Sequence, residues 1–230
     1  MPRGAPANAD RMKLFIGNKA YSSWSLRGWL ACKQSGLAFD EVVLPMSTPA
    51  WDQAQANELA PSGGKVPTLW DGDAVVWDSI AIIDYLNDKT GGTRFWPQDL
   101  VARGFARSIA AEMHSSFTAL RGAHAMNTRR TIPTPATEAV QADIARIMEL
   151  WAQARARFGG EGDFLFGPFG AVDIMFAPVC TRFMTYQLPI ARFAQTYVDA
   201  VLAHPFMLDW IAAAQDEQWV IDKYEPSATA

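Results

Sequence analysis

The chain has 230 residues, half of them hydrophobic, and carries 20 basic against 24 acidic side chains for a net charge of −4. That length and apolar content suffice for one large or two small packed domains, while the acidic balance excludes a general electrostatic footprint for nucleic acid. No stretch is apolar for long enough to span a membrane. Two cysteines, Cys32 and Cys180, show no metal or redox spacing and are expected to be buried free thiols.

In chain order, residues 1–11 carry prolines and alanines without periodicity and are predicted to form a flexible extension. The start lacks the charged-then-apolar order of a signal peptide, so the expected location is cytoplasmic. Leu14, Phe15 and Ile16 read as a first strand, residues 25–35 as a helix ended by Gly36, and residues 39–44 as a second strand, apolar enough for a sheet covered on both faces. Strand, helix, strand suggests a right-handed parallel crossover. Ser22, Ser23 and Ser25 then fall at a helix N-terminus, where unpaired backbone N–H groups await a cap or an anion. A helix cap is the ordinary use of any one of them.

Residues 51–59 suit a short helix, and residues 68–70 and 74–77 form a hairpin around Asp71-Gly72-Asp73, which supplies positive φ angles. Asp78-Ser79 opens the next helix. Beyond the turn residues Gly91-Gly92-Thr93 and Trp96-Pro97-Gln98, period-two alternation disappears. Phe105, Ile109, Met113, Phe117 and Leu120 mark a helix over 102–120; Val140, Ile144, Ile147, Trp151, Ala154 and Phe158 mark a second. A third begins after Gly170. The predicted division is an extension at 1–11, an α/β domain at 12–90, a linker at 91–101 and an all-helical domain at 102–230.

Three motifs resemble the glutathione transferase superfamily, most nearly its serine-type zeta branch. They are Ser22-Ser23-Trp24-Ser25-Leu26-Arg27, Gly64-Lys65-Val66-Pro67-Thr68-Leu69, and Asp78-Ser79 followed by Ala81-Ile82 and Tyr85-Leu86. The resemblance is strong over residues 12–85 and weak in the helical half. It implies a thioredoxin-like N-terminal domain of order βαβ-α-ββα followed by an all-helical C-terminal domain. Glutathione would be the co-substrate, without a metal, and a small electrophile the second substrate. A cysteine thiol near pKa 8.5 is only a few per cent ionised at neutral pH, and a donated hydroxyl at a helix N-terminus favours the thiolate.

By this resemblance Ser22 falls on the thiolate-stabilising serine and Ser23 on its neighbour, with Tyr21 an outside candidate. Trp24 stands where the zeta pattern has cysteine, which argues against cysteine-based chemistry. Lys65, Val66 and Pro67 would hold the peptide backbone of glutathione across a cis Val66–Pro67 bond. Ser79 would take its γ-glutamyl carboxylate and Asp78 its ammonium; an ordinary Asp-Ser helix cap fits the same residues. Arg107, His114 and Arg121, spaced by seven beside Met113 and Phe117, form a stripe. If the stripe faces the cleft, Met113, His114, Phe117 and Arg121 bind the second substrate and favour an apolar compound with an anionic group.

Trp219, Ile221 and Tyr224 are expected to anchor the tail. Gly170 stands where the family has Ser or Thr in a capping box with Asp173, so one capping bond is expected to be missing. The family resemblance, with 9 tryptophans and 13 phenylalanines, implies a two-fold homodimer through residues 70–83 and 102–120. Neither nucleic acid nor membrane is an expected partner. Three alternatives stay open: a zeta-like isomerase, a peroxidase, and a non-enzymatic binding protein of the same fold.

Overall fold

In the computed structural model, which describes residues 11–225, strand β1 (Met12–Ile16) lies inside a four-stranded sheet of order β2-β1-β3-β4. It runs parallel to β2 (Phe39–Val43), with Met12 opposite Phe39, and antiparallel to β3 (Thr68–Asp71), with Leu14 opposite Leu69. The hairpin partner β4 (Ala74–Trp77) turns at Gly72, whose φ of +58° suits a residue without a Cβ. Alternation along β1 sends Met12, Leu14 and Ile16 into the main core and Phe15 to the opposite face, against Leu44, Ala54 and Leu59. Helices α1 (Ser23–Ser35) and α3 (Ser79–Lys89) cover the first face. The second lies against α2 (Pro49–Ala56), from which Ala54 comes, and a 3-10 turn at Ala60–Ser62. The expected extension at 1–11 falls, apart from Arg11, outside the described residues.

The segment between the two halves is packed. Phe95 and Trp96 are buried, Trp96 Nε1 donates to Asp84 at 2.8 Å, and the Phe95 carbonyl accepts from Ala171 N at 2.9 Å. Helix α4 (Leu100–Ser115) starts at an Asp99 cap, and the helix predicted over 102–120 does not continue through it. Ser116 is extended and Phe117 left-handed (φ +59°) before α5 (Thr118–Ala123) begins. The physical reason lies outside the segment: Asp143 Oδ2, from α6 (Glu138–Phe158), accepts from Leu120 N at 2.9 Å and satisfies a donor that a fresh helix start leaves open. Phe117 and Leu120 stay buried, so the apolar spacing survives the break and hides it from a reading of period alone.

Helix α6 buries Val140, Ile144, Ile147, Trp151 and Ala154, as the spacing predicts. Helix α7 (Ala171–Tyr186) is buried almost along its whole length; α8 (Arg192–Ala203) packs on it, and α9 (Pro205–Asp216) packs on α8 and α1. One cluster of apolar side chains runs from β1 through α7 to α9, so the two halves share a core. At the start of α7 the missing hydroxyl has a steric cause: a Cβ on Gly170 would sit 2.6 Å from the Phe95 carbonyl oxygen. Asp173 keeps the other half of the cap, accepting from Gly170 N at 2.9 Å, and gains Leu165 N at 3.2 Å and Tyr197 Oη at 2.9 Å.

Candidate active site

Ser22 is the N-cap of α1, and its Oγ accepts from Ser25 N at 3.3 Å while donating to Ser25 Oγ at 2.7 Å. Ser25, fully buried, accepts in turn from Gly17 N at 2.9 Å. The loop out of β1, the cap and the first turn of α1 are thereby tied into one hydrogen-bonded unit. Ser22 and Ser23 both line a cavity of about 710 Å³ together with Trp24, His114, Arg121, Arg182 and Tyr224.

A second cavity, of about 580 Å³, is framed by Trp51, Lys65, Val66, Pro67, Trp77, Asp78 and Ser79. The Val66–Pro67 bond is cis, as expected. Val66 N–H and C=O make no hydrogen bond among the described residues, which leaves a strand-like edge open to an extended peptide. Gly28 on α1 allows this loop its place, since a Cβ there would meet Pro67 at 2.6 Å. Asp78 adopts a positive φ of 74° and caps α3 through Ile80 N at 3.0 Å. A side chain with a Cβ at that φ stores strain, of the kind that gathers at binding sites. Ser79 is buried, and among the described residues its hydroxyl finds only Met175 Sδ, at 3.8 Å.

Trp24 and His114 line both cavities and form the divide between them. Their rings meet edge-on at 5.1 Å, and His114 Nε2 lies 3.1 Å from Asp78 Oδ2. The residues expected from the sequence therefore split: Lys65, Val66, Pro67, Asp78 and Ser79 on one side, Ser22, Ser23 and Arg121 on the other, with His114 between. Met113 and Phe117, expected at the substrate site, are instead core residues that line neither cavity. Arg107 lies over Trp96. The break before α5 takes Arg121 off the helical stripe, yet its Nη1 reaches back to the carbonyls of His114 (3.1 Å) and Ser116 (3.0 Å).

Tyr224 does more than anchor the tail: its ring packs on Tyr21 at 5.7 Å and forms part of the larger cavity's wall. Glu225 beyond it accepts from Tyr21 Oη, Arg130 and Asn127, and these donors hold its carboxyl below the usual range despite burial, which acts the other way. Sequence reasoning missed Arg182. A lone arginine in the apolar run from Ile174 to Phe183 was the available signal, because a buried guanidinium demands partners. Among the described residues, no helix is long and apolar enough to cross a membrane, and no group of three or more His, Cys, Asp and Glu could hold a metal ion.

Comparison with known proteins agrees with this geometry. Profiles of the glutathione S-transferase N-terminal and C-terminal domains match residues 21–89 and 134–213, between them more than half of the chain. The chloroplastic glutathione S-transferase L2 of Arabidopsis thaliana is 25% identical over 95% of this chain and 74% of its own. A glutathione transferase homolog from Burkholderia, solved with bound glutathione, superposes with a TM-score of 0.67 at 20% identity, covering 90% of this chain and 98% of that one. A theta class glutathione S-transferase from Xanthomonas axonopodis pv. citri, also with glutathione bound, gives a TM-score of 0.63 at 22% identity over 90% and 99%. A four-stranded βαβ-containing domain with a cis-proline loop, an all-helical partner domain and family profiles on both halves lead to one conclusion: the chain belongs to the glutathione S-transferase superfamily of enzymes.

Proposed function

We propose that the protein binds glutathione in the smaller cavity and activates its thiol through Ser22 for attack on a small electrophile held in the larger one. The observation that carries this reading is the placement of a buried, cap-forming hydroxyl on the wall of one cavity, directly across Trp24 and His114 from a cis-proline loop with an open backbone edge. Peptide backbone would pair with Val66, and the γ-glutamyl end would reach Ser79 and the N-terminus of α3, with the sulfur at the divide. Lys65, at the mouth, adds a positive charge beside the peptide.

At rest the Ser22 hydroxyl donates its hydrogen bond to Ser25 Oγ. Turning it to the sulfur lets the Ser25 hydroxyl donate back to Ser22 Oγ, so no buried polar atom is orphaned during activation. The thiol releases its proton to solvent, the thiolate then forms a bond to the electrophilic carbon, and the leaving group departs with its electron pair. Trp24 at the position of the zeta-type cysteine, with both cysteines buried, supports serine over cysteine chemistry. The two free thiols also support a reducing compartment such as the cytoplasm. Glutathione-agarose retention together with turnover of 1-chloro-2,4-dinitrobenzene tests the function. Retention without turnover across an electrophile, isomerase and hydroperoxide panel would reassign it to a binding module.

Ser79→Ala is expected to raise the glutathione KM roughly tenfold or more with kcat little changed. The lost bond lies remote from the sulfur, so ground and transition states lose it equally. Steady-state kinetics at varied glutathione checks this; a large kcat loss at saturation would place Ser79 elsewhere.

The active form we propose is a two-fold homodimer. Trp77 on β4 and Leu100 and Val101 on α4 remain exposed, at 44%, 73% and 62%, near or within the two segments nominated for the interface. Sedimentation at micromolar concentration is expected to give twice the 25.3 kDa of one chain. A mass of one chain that persists on concentration excludes the dimer.

A further inference from the structure

Arg121 and Arg182 line the larger cavity, and Arg27 lies buried against Trp24, which lines it too. Arg182, on α7, spends Nε on the His124 carbonyl at 2.8 Å and Nη1 on the Pro178 carbonyl at 2.9 Å; its Nη2 makes no hydrogen bond to another described residue. Arg121 uses only Nη1, on carbonyls. Arg27, fully enclosed, donates Nε to Met175 O at 2.8 Å and leaves Nη2 without a partner. The guanidinium groups of Arg27 and Arg121 lie over the Trp24 ring, 4.5 and 4.9 Å from its centroid.

Asp78, whose charge acts on Arg27, and Glu225 both have other partners. Asp78 is held by His114 and Ile80 N, and Glu225 by Tyr21, Arg130 and Asn127. Among the described residues none of the three arginines forms an ion pair. Burial first, and the Arg121 charge second, push the Arg182 pKa down to about 10. Like charges drawn together in a half-dry cavity are unfavourable until an anion joins them.

We infer that the second substrate carries a carboxylate, seated between Arg121 and Arg182, with an apolar body against Met46, Met126 and Trp24 in the larger cavity. Guanidinium forks match the two oxygens of a carboxylate, and the remaining wall offers sulfur and ring surface to its hydrocarbon part. This deepens the transferase reading and rests on it, because the anion would hold the electrophilic carbon on the Ser22 side of the divide.

The test separates binding from turnover. With the wild-type protein saturated with glutathione, calorimetry compares unreactive 4-nitrobenzoate with 4-nitrobenzamide. The carboxylate is expected to bind about tenfold or more tightly, and Arg121→Met, checked for folding by circular dichroism, is expected to abolish that preference. Arg121 is the variant of choice because it is partly exposed, whereas Arg182 is built into the core. Equal affinity for acid and amide, an undiminished preference in Arg121→Met, or displacement of nitrobenzoate by glutathione would each overturn the inference, the last by assigning the arginines to glutathione. In turnover, kcat/KM for 4-chloro-3-nitrobenzoate is expected to exceed that for its amide. Absence of any turnover with the binding preference intact would defeat the transferase reading and leave the carboxylate site standing.

Discussion

Ser22→Ala is expected to raise the pKa of the bound glutathione thiol by about one to two units and to slow conjugation at neutral pH roughly ten- to hundredfold. A hydrogen bond to a charged partner is worth about 1.5–3 kcal/mol, and each pKa unit about 1.4 kcal/mol, so losing the donor shifts the ionisation by that ratio. The variant also loses the cap on Ser25 N, at a cost of about 1 kcal/mol in stability. The two effects separate experimentally. Thiolate absorbance of bound glutathione, titrated against pH, reads the first, and thermal unfolding of the free protein reads the second. Ser23, which makes no side-chain hydrogen bond among the described residues, serves as the control. A titration unchanged in Ser22→Ala and shifted in Ser23→Ala would transfer the role.

The second large effect concerns Asp173, whose carboxylate gathers Gly170 N, Leu165 N and Tyr197 Oη around the start of α7. Asp173→Ala orphans three buried donors and is expected to cost roughly 3 kcal/mol or more at pH 5, which for a chain of this size lowers Tm by about 6–12 °C. Burial, opposed by those hydrogen bonds, raises the Asp173 pKa from 3.8 to about 6. Between pH 4 and 6 the folded protein therefore keeps a proton that the unfolded chain releases. Stability falls as pH rises through that window, by up to roughly 3 kcal/mol from this group. Asp173→Ala lacks this slope, so its deficit is expected to narrow between pH 5 and 7. Urea unfolding of both proteins at the two pH values measures it, and a deficit that widens with pH would contradict the assignment.

The N-terminal half was legible because its signals are local. The apolar run of Leu14, Phe15 and Ile16, the Asp71-Gly72-Asp73 turn and the Gly36 C-cap each settle their element within a few residues, and the βαβ-α-ββα order follows from them. The break at Ser116 and Phe117 was not legible, because the carboxylate that stabilises it comes from Asp143 and the apolar spacing runs through undisturbed. Met113 and Phe117 were assigned to the substrate site on shared helical face, but a face is shared equally by core and cleft, and only packing decides. Arg182 and Tyr224 reach the cavity from elements more than fifty residues away from Trp24. Such convergence leaves no trace in spacing. The meaning of Gly170 likewise depended on Phe95, a residue of the segment between the two halves that meets it only in the folded chain.

The two cysteines have a bearing on chemistry in which neither takes part. Cys32 and Cys180 are both fully enclosed, and burial raises the pKa of each, so the folded protein presents no sulfur anion of its own. A catalyst that confines an ionised thiol with an alkylating agent is exposed to suicide by its own product chemistry and to mixed disulfide formation with the tripeptide it binds. Under the proposed function the only thiolate in the cavity would be the substrate's, and the protein's two thiols become available to alkylation only when the chain opens.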